Sequence, residues 1–153
     1  MPETAPLTEL VELDRALLYL FVAGPGYGEG VAVALPERGW LLVDSCTVHG
    51  AIPLLSVYQR WRGDADQVDC LALTHPHRDH AMGFRAVLEE TQPRRVGLTA
   101  PPATPDLALQ EFAPAVTSIT SDANRRRTVL DALGAIRRYA DLNPGRSWAC
   151  ARA

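Results

Sequence analysis

An α/β fold, a layered mixed β-sheet with helices packed on it, is predicted by the order of apolar segments in this 153-residue chain. Short runs of β-forming residues come first, and from about residue 50 such runs alternate with segments of helical spacing. One run, Asp69 to Thr74, is almost continuously apolar, as expected of a strand covered on both faces.

The first strand is Leu17 to Val22, followed by a glycine-punctuated loop from Gly24 to Gly30. Val31 to Leu35 and Trp40 to Val43 are the next strands, and Pro36-Glu37-Arg38-Gly39 between them makes a hairpin turn. Gly50 to Trp61 places Ile52, Leu55 and Tyr58 on adjoining turns of a helix. After the strand at Asp69–Thr74, helical spacing resumes from Ala81 to Glu90, with Met82, Arg85, Ala86 and Glu89 three or four apart. Arg95 to Thr99 is a further strand, and the three prolines within Ala100–Pro105 require a loop. Asp106 to Phe112 is a weak helix and Asn124 to Leu142 a stronger one. Val129, Leu133, Ile136 and Ala140 line one face of the latter, and Arg126, Arg127, Arg137 and Arg138 lie mostly off it. Asn143-Pro144-Gly145 ends that helix and leaves a short tail. No repeat or linker divides the chain, so residues 1–153 read as one domain.

With 47% hydrophobic and 22% charged residues the chain is an ordinary globular protein, not a disordered one. Its longest strongly apolar stretch, Ala16 to Gly24, is well short of the roughly 20 residues of a membrane span. The first fourteen residues carry Glu3, Glu9, Glu12 and Asp14 and no basic residue, unlike a secretory signal. Cys46, Cys70 and Cys150 are odd in number and widely spaced, which implies no disulfide framework and makes a cytoplasmic location the default. The net charge of -3 is uneven: residues 1–90 hold 6 Arg against 13 acids, and residues 91–153 hold 9 Arg against 5 acids. All 15 basic residues are Arg, so coding bias explains the basic C-terminal part as readily as a polyanionic partner does.

Three of the four histidines fall within six residues, His75-Pro76-His77-Arg78-Asp79-His80, directly after the apolar strand. In α/β sheets the carboxyl ends of strands are where ligands bind. In an extended backbone, residues two apart point the same way, so His75 and His77 can grip one ion, and Pro76 stiffens the pair. Asp79 and His80 add an oxygen and a nitrogen donor as the chain turns into the next helix. Neutral imidazole and carboxylate are zinc's ligand types, at about 2.0–2.2 Å. Two ions about 3.5–4 Å apart would polarise a scissile bond and activate a bridging water, with Asp79 both binding metal and holding that water.

Strand, Thr74-His75-Pro76-His77-Arg78-Asp79-His80-Ala81-Met82-Gly83, then helix resembles the H-x-H-x-D-H-x-x-G signature of the metallo-β-lactamase superfamily. The resemblance implies that His75 and His77 bind one zinc, that Asp79 and His80 bind the other, and that Asp79 is catalytic. Gly83 matches the glycine after the loop, where a side chain could crowd the metal site, and reads equally well as a tolerated helix glycine. Trp40-Leu41-Leu42-Val43-Asp44-Ser45 resembles the strand whose final aspartate braces the metal loop, which nominates Asp44; a turn-forming Asp is the alternative. Gly24-Pro25-Gly26-Tyr27-Gly28-Glu29 lacks a P-loop's Gly-Lys-Ser/Thr ending and runs into a strand. It is similar to the glycine-rich loop of the competence-protein-like branch, several members of which are linked to DNA processing. Glu29 reads as a solvated carboxylate before a metal neighbour, His49 as a surface residue, and Cys46 and Cys70 as structural. Ser45 and Ser56 lack a nucleophile elbow, so a Ser/His/Asp triad is rejected.

The resemblance covers about residues 15–100 and makes the chain the N-terminal half of a metallo-β-lactamase-like fold. A second half would supply another histidine, a bridging aspartate and a final histidine. No histidine follows His80, and Asp106, Asp122, Asp131 and Asp141 lack strand-end context. Four ligands shared by two ions leave each with two protein donors, fewer than stable sites hold. The chain is therefore a piece of a longer or split protein, a half completed by a second copy or companion chain, or a degenerate module. A half-fold would also expose the sheet face that the other half covers. The implied activity is attack by metal-bound hydroxide on an ester-type bond, using one or two zinc ions. A phosphodiester, in nucleic acid for instance, comes first and a thioester, lactone or β-lactam next. A non-catalytic metal-binding or assembly module is the rival from another class.

Overall fold

The computed structural model describes residues 13–24, 28–100 and 123–151. Its strands are β1 (Tyr19–Ala23), β2 (Gly30–Ala34), β3 (Gly39–Val43), β4 (Gln67–Leu73), β5 (Val96–Ala100) and β6 (Ser147–Ala151). Its α-helices are α1 (Pro53–Trp61), α2 (Arg78–Ala81), α3 (Phe84–Thr91) and α4 (Ala123–Leu142). The strands stand in chain order in one sheet. β1, β2 and β3 pair antiparallel, and β3 through β6 pair parallel, so the α/β mixed sheet expected from the sequence is observed. The loop over 101–105 and the weak helix over 106–112 lie outside the described residues.

Three local readings are corrected. The segment after Gly145 is not a tail but β6, paired with β5 from Val96↔Ser147 to Ala100↔Ala151. Five residues with only Trp148 as a large apolar side chain carry little strand signal of their own, and the parallel partner supplies the rest. Helix α1 begins at Pro53, where a residue without an N–H costs nothing, and not at Gly50, which sits with His49 in a turn closed by Val48 and Ala51. The helix expected from Ala81 to Glu90 is two helices broken at Met82-Gly83, because Gly83 has φ +81. The expected hairpin turn between β2 and β3 is observed as a 3-10 turn with Glu37 at φ 65, closed by the Leu35 N–H donating to the Gly39 carbonyl at 2.8 Å.

Alternation along the strands sorts the sheet into two unlike faces. Ala32, Ala34, Trp40, Leu42, Leu71, Leu73, Val96 and Leu98 are buried beneath the helices. Helix α1 packs on β1 and β2, α3 on β4, and α4 on α2, α3 and β6. A sheet whose parallel strands follow one another in order, joined by crossovers of one hand, collects its helices on a single side. The buried stripe of α4 is Val129, Ala132, Leu133, Ala135, Ile136 and Tyr139, close to the predicted face. On the other side of the sheet Val31, Val33, Leu41, Val43, Cys70 and Ala72 are only partly covered, and Leu20 and Val22 are 63% and 61% exposed.

Trp40 anchors the covered face. Its ring is fully buried, edge-on to Tyr58 at 5.5 Å and stacked on Phe21 at 6.2 Å. Its indole N–H donates to Asp66 Oδ2 at 2.9 Å, and Arg15 reaches the same oxygen at 2.6 Å. Burial pushes the Asp66 carboxyl up, but hydrogen bonds from Trp40, the Gly63 backbone and Arg15, with the Arg15 charge, outweigh it and hold the group below its ordinary value. A carboxyl lowered in the folded state adds stability at neutral pH and loses it as pH falls through the folded value. Asp66→Ala, which strands the Trp40 N–H, is expected to cost about 1–3 kcal/mol. The gap in melting temperature between wild type and variant should narrow below the carboxylate range; an equal gap at neutral and acid pH would contradict this assignment.

Candidate metal centre

Because β3 and β4 run parallel, their carboxyl ends open on the same edge, and the residues that leave them meet there. Asp44 follows β3 and takes φ 56, a left-handed conformation that aspartate tolerates better than most residues. Its N–H continues the ladder onto the Ala72 carbonyl at 2.7 Å. The side chain is buried and accepts three hydrogen bonds: from the Thr74 N–H at 2.7 Å, the Thr74 hydroxyl at 2.6 Å and His80 Nδ1 at 2.8 Å. The aspartate thus ties the end of β3 to both ends of the histidine loop.

The loop itself is tighter than an extended pair of histidines. The His77 N–H donates back to the His75 carbonyl at 2.9 Å, a three-residue turn around Pro76. His77 then starts α2, its carbonyl receiving the N–H groups of His80 at 3.1 Å and Ala81 at 2.9 Å. The extended geometry expected for His75-Pro76-His77 is therefore corrected, although the two rings still lie 4.7 Å apart. The His75 and His80 rings are 3.9 Å apart and tilted by 47°. Burial, followed by the neighbouring His80 and His77, pushes the His75 pKa down against the pull of Asp44 and Asp79, which favours the neutral, lone-pair-bearing ring.

Two glycines let neighbouring segments close on this loop. Gly28, at φ +102, sits so near the Asp79 backbone that a Cβ would collide with the Asp79 carbonyl oxygen. Gly83, at φ +81, would aim a Cβ 2.9 Å from Ile52 Cγ1 and 3.1 Å from the buried Ser45 Oγ. Gly83 precedes a helix and does not lie inside one, and the groups a side chain there would crowd are Ile52 and Ser45, not the histidines. Ser45 docks beside it, its N–H donating to the His80 carbonyl at 2.9 Å. Gly28 was legible only as part of a glycine-rich loop, and Thr74 only as a polar residue closing an apolar strand.

The donors fit a divalent ion in chemistry and in one measured pair. Since His80 Nδ1 faces a carboxylate, which only accepts, Nδ1 carries a proton, and Nε2 is the nitrogen left for another partner. Nε2 lies 3.5 Å from Asp79 Oδ2, a separation that a shared proton or a shared cation would suit. Tetrahedral ligands about 2.1 Å from zinc lie roughly 3.4 Å apart. Among the described residues, no group of three or more His, Cys, Asp or Glu side chains converges on one point, so a full donor set needs further side-chain rotation or further donors. His77 is exposed and Asp79 half-exposed, which leaves both free to turn. Glu29 is exposed, His49 is exposed at φ 50, and neither joins the cluster. Cys46 is buried with its thiol donating to the Ala23 carbonyl at 3.5 Å, and burial pushes its pKa and that of Cys70 up, away from the thiolate a metal requires.

The chain is an α/β protein with an imidazole-rich loop at the carboxyl edge of its mixed sheet, the edge where such sheets bind ligands. The sequence pattern of the metallo-beta-lactamase superfamily matches residues 24–113, more than half of the chain, and the chain belongs to that superfamily, most members of which are hydrolases. No curated protein matches. Among solved structures it is similar to a metallo-beta-lactamase from Staphylococcus aureus subsp. aureus COL, at 13% identity and TM-score 0.40. That match covers 54% of this chain and 23% of the other, so the chain spans under a quarter of that structure's length.

Removing the Asp44 carboxylate leaves the Thr74 amide and the His80 ring without their acceptor. Asp44→Ala should therefore destabilise the metal-free chain by on the order of 1–3 kcal/mol in urea denaturation. An unchanged midpoint would show that the brace does not hold the loop.

Proposed function

We propose that this chain is a metal-dependent hydrolase of ester-type bonds, with zinc as its ion and a phosphodiester, in nucleic acid for instance, as its substrate class. The observation that carries the reading is the His80–Asp79 pair: a buried carboxylate holds His80 through Nδ1, and Nε2 lies 3.5 Å from a second carboxylate. Superfamily membership supports the reaction class. His75, His77, Asp79 and His80 are the residues proposed to hold the ion or ions, with Asp44 bracing them.

A divalent ion bound there supplies a Lewis acid that polarises the scissile bond and brings the pKa of a water toward ~7. The chain's own part is positional. Asp44 fixes the His80 ring, Gly28 allows the glycine-rich loop to lie against Asp79, and Asp79, the proposed catalytic carboxylate, is accessible enough to accept a proton from an attacking water. The choice of a phosphodiester leans on the similarity of the Gly24–Glu29 loop to the competence-protein-like branch and on the excess of Arg after residue 90. The same proposal gives the chain a second copy or companion chain as partner, packed on the sheet face where Leu20 and Val22 stand exposed. It also places the chain in the cytoplasm, and no helix among the described residues is long and apolar enough to cross a membrane.

Two measurements on the intact chain test this. Zinc content after reconstitution should be stoichiometric in wild type and reduced in His77→Ala. With added zinc, a generic phosphodiester should be hydrolysed faster than a thioester. Preference for the thioester would move the chain to another substrate class of the superfamily, zinc binding without any turnover would make it a binding module, and absence of zinc binding would end the reading.

A further inference from the structure

We infer that Thr74 is a positioning residue whose hydroxyl relays the demand of Asp44 to His75, holding that ring with its proton on Nδ1 and its lone pair on Nε2. Thr74 Oγ1 lies 2.6 Å from Asp44 Oδ2 and 3.1 Å from His75 Nδ1. A hydroxyl has one proton, and a carboxylate has none to give, so the short contact to Asp44 uses the proton of Thr74. The hydroxyl oxygen can then only accept from His75, and Nδ1 must be the protonated nitrogen. His80 receives the same instruction directly, through its own 2.8 Å contact with Asp44 Oδ2. One carboxylate oxygen therefore sets two imidazoles alike, although only one of them touches it.

The relay is rigid because Thr74 is held at two points: its N–H donates to Asp44 Oδ1 at 2.7 Å while its hydroxyl donates to Oδ2. Free imidazole in water favours the opposite form, with the proton on Nε2, so the Nδ1–H form in both rings has to be imposed by acceptors. Its use, presenting Nε2 of both rings to a metal, rests on the hydrolase reading above. The protonation pattern itself is a property of the metal-free chain.

Long-range proton–nitrogen correlation NMR of the metal-free, nitrogen-15-labelled chain tests it. His75 and His80 should both show the Nδ1–H pattern in wild type. In Thr74→Val, which keeps the shape and removes the hydroxyl, His75 should move toward Nε2–H while His80 keeps its pattern; Thr74→Ser should restore His75. Zinc affinity, read by competition with a chromogenic chelator, should fall roughly ten- to a hundredfold in Thr74→Val and stay near wild type in Thr74→Ser. A wild-type His75 protonated on Nε2 would overturn the relay whether or not the variants fold, as would an unchanged His75 in a folded Thr74→Val. If the tautomer pattern holds but no form binds zinc, the relay stands and the hydrolase reading falls.

Discussion

A single buried carboxylate, that of Asp44, organises this molecule's functional edge. It lies at the end of one parallel strand and gathers an amide, a hydroxyl and an imidazole from the loop that leaves the next. Three charge-assisted hydrogen bonds at 2.6–2.8 Å are worth more than neutral ones, and the Asp44 end of each is buried. They hold the loop in place, since His75 and Pro76 lie outside any helix or sheet ladder and His80 has only one helical turn around it. The helix that follows is one turn long, too short to stand without such support.

The covered face of the sheet gives Asp44 a fixed platform. Trp40, two turns of pleat before it on the same strand, is locked by Phe21, Tyr58 and the Asp66 carboxylate. The bulge between Trp40 and Leu41, opposite Val68 and Cys70, resets the register before the strands reach the site. Val43 then pairs with Ala72, which brings the Asp44 side chain within reach of Thr74. Among the described residues the helices pack on one side, and on the other Leu20 and Val22 stand exposed. The chain is thus rigid where it meets the loop and apolar where nothing among the described residues covers it.

Much of this was legible beforehand because the signals are local. Strands β1 to β5 follow from runs such as Val31–Leu35 and Asp69–Thr74, whose alternation or continuity is the direct imprint of burial. The histidine loop is legible because three rare side chains fall together after a buried strand. What escaped depends on neighbours far away in sequence. Strand β6 is a strand because β5 lies beside it, and Ser147–Ala151 alone reads as a tail. The break at Gly83 comes from Ile52 and Ser45 pressing on that position, contacts that helical spacing around Met82 and Arg85 does not reveal. The turn at Pro76 replaced an extended pair because the His75 carbonyl found a partner in the His77 amide. Thr74 passed as the last residue of a strand, and its role emerges only when Asp44 is placed against it, thirty residues apart in sequence.

The proposed chemistry requires His75, His77, Asp79 and His80 to hold a divalent cation at that edge. X-ray absorption at the zinc edge of the reconstituted chain measures this most directly. It should show imidazole scattering from at least two rings together with oxygen at about 2.0–2.2 Å, and the imidazole signal should fall when His75 and His80 are replaced. An oxygen-only shell, or an imidazole signal indifferent to those replacements, would contradict it.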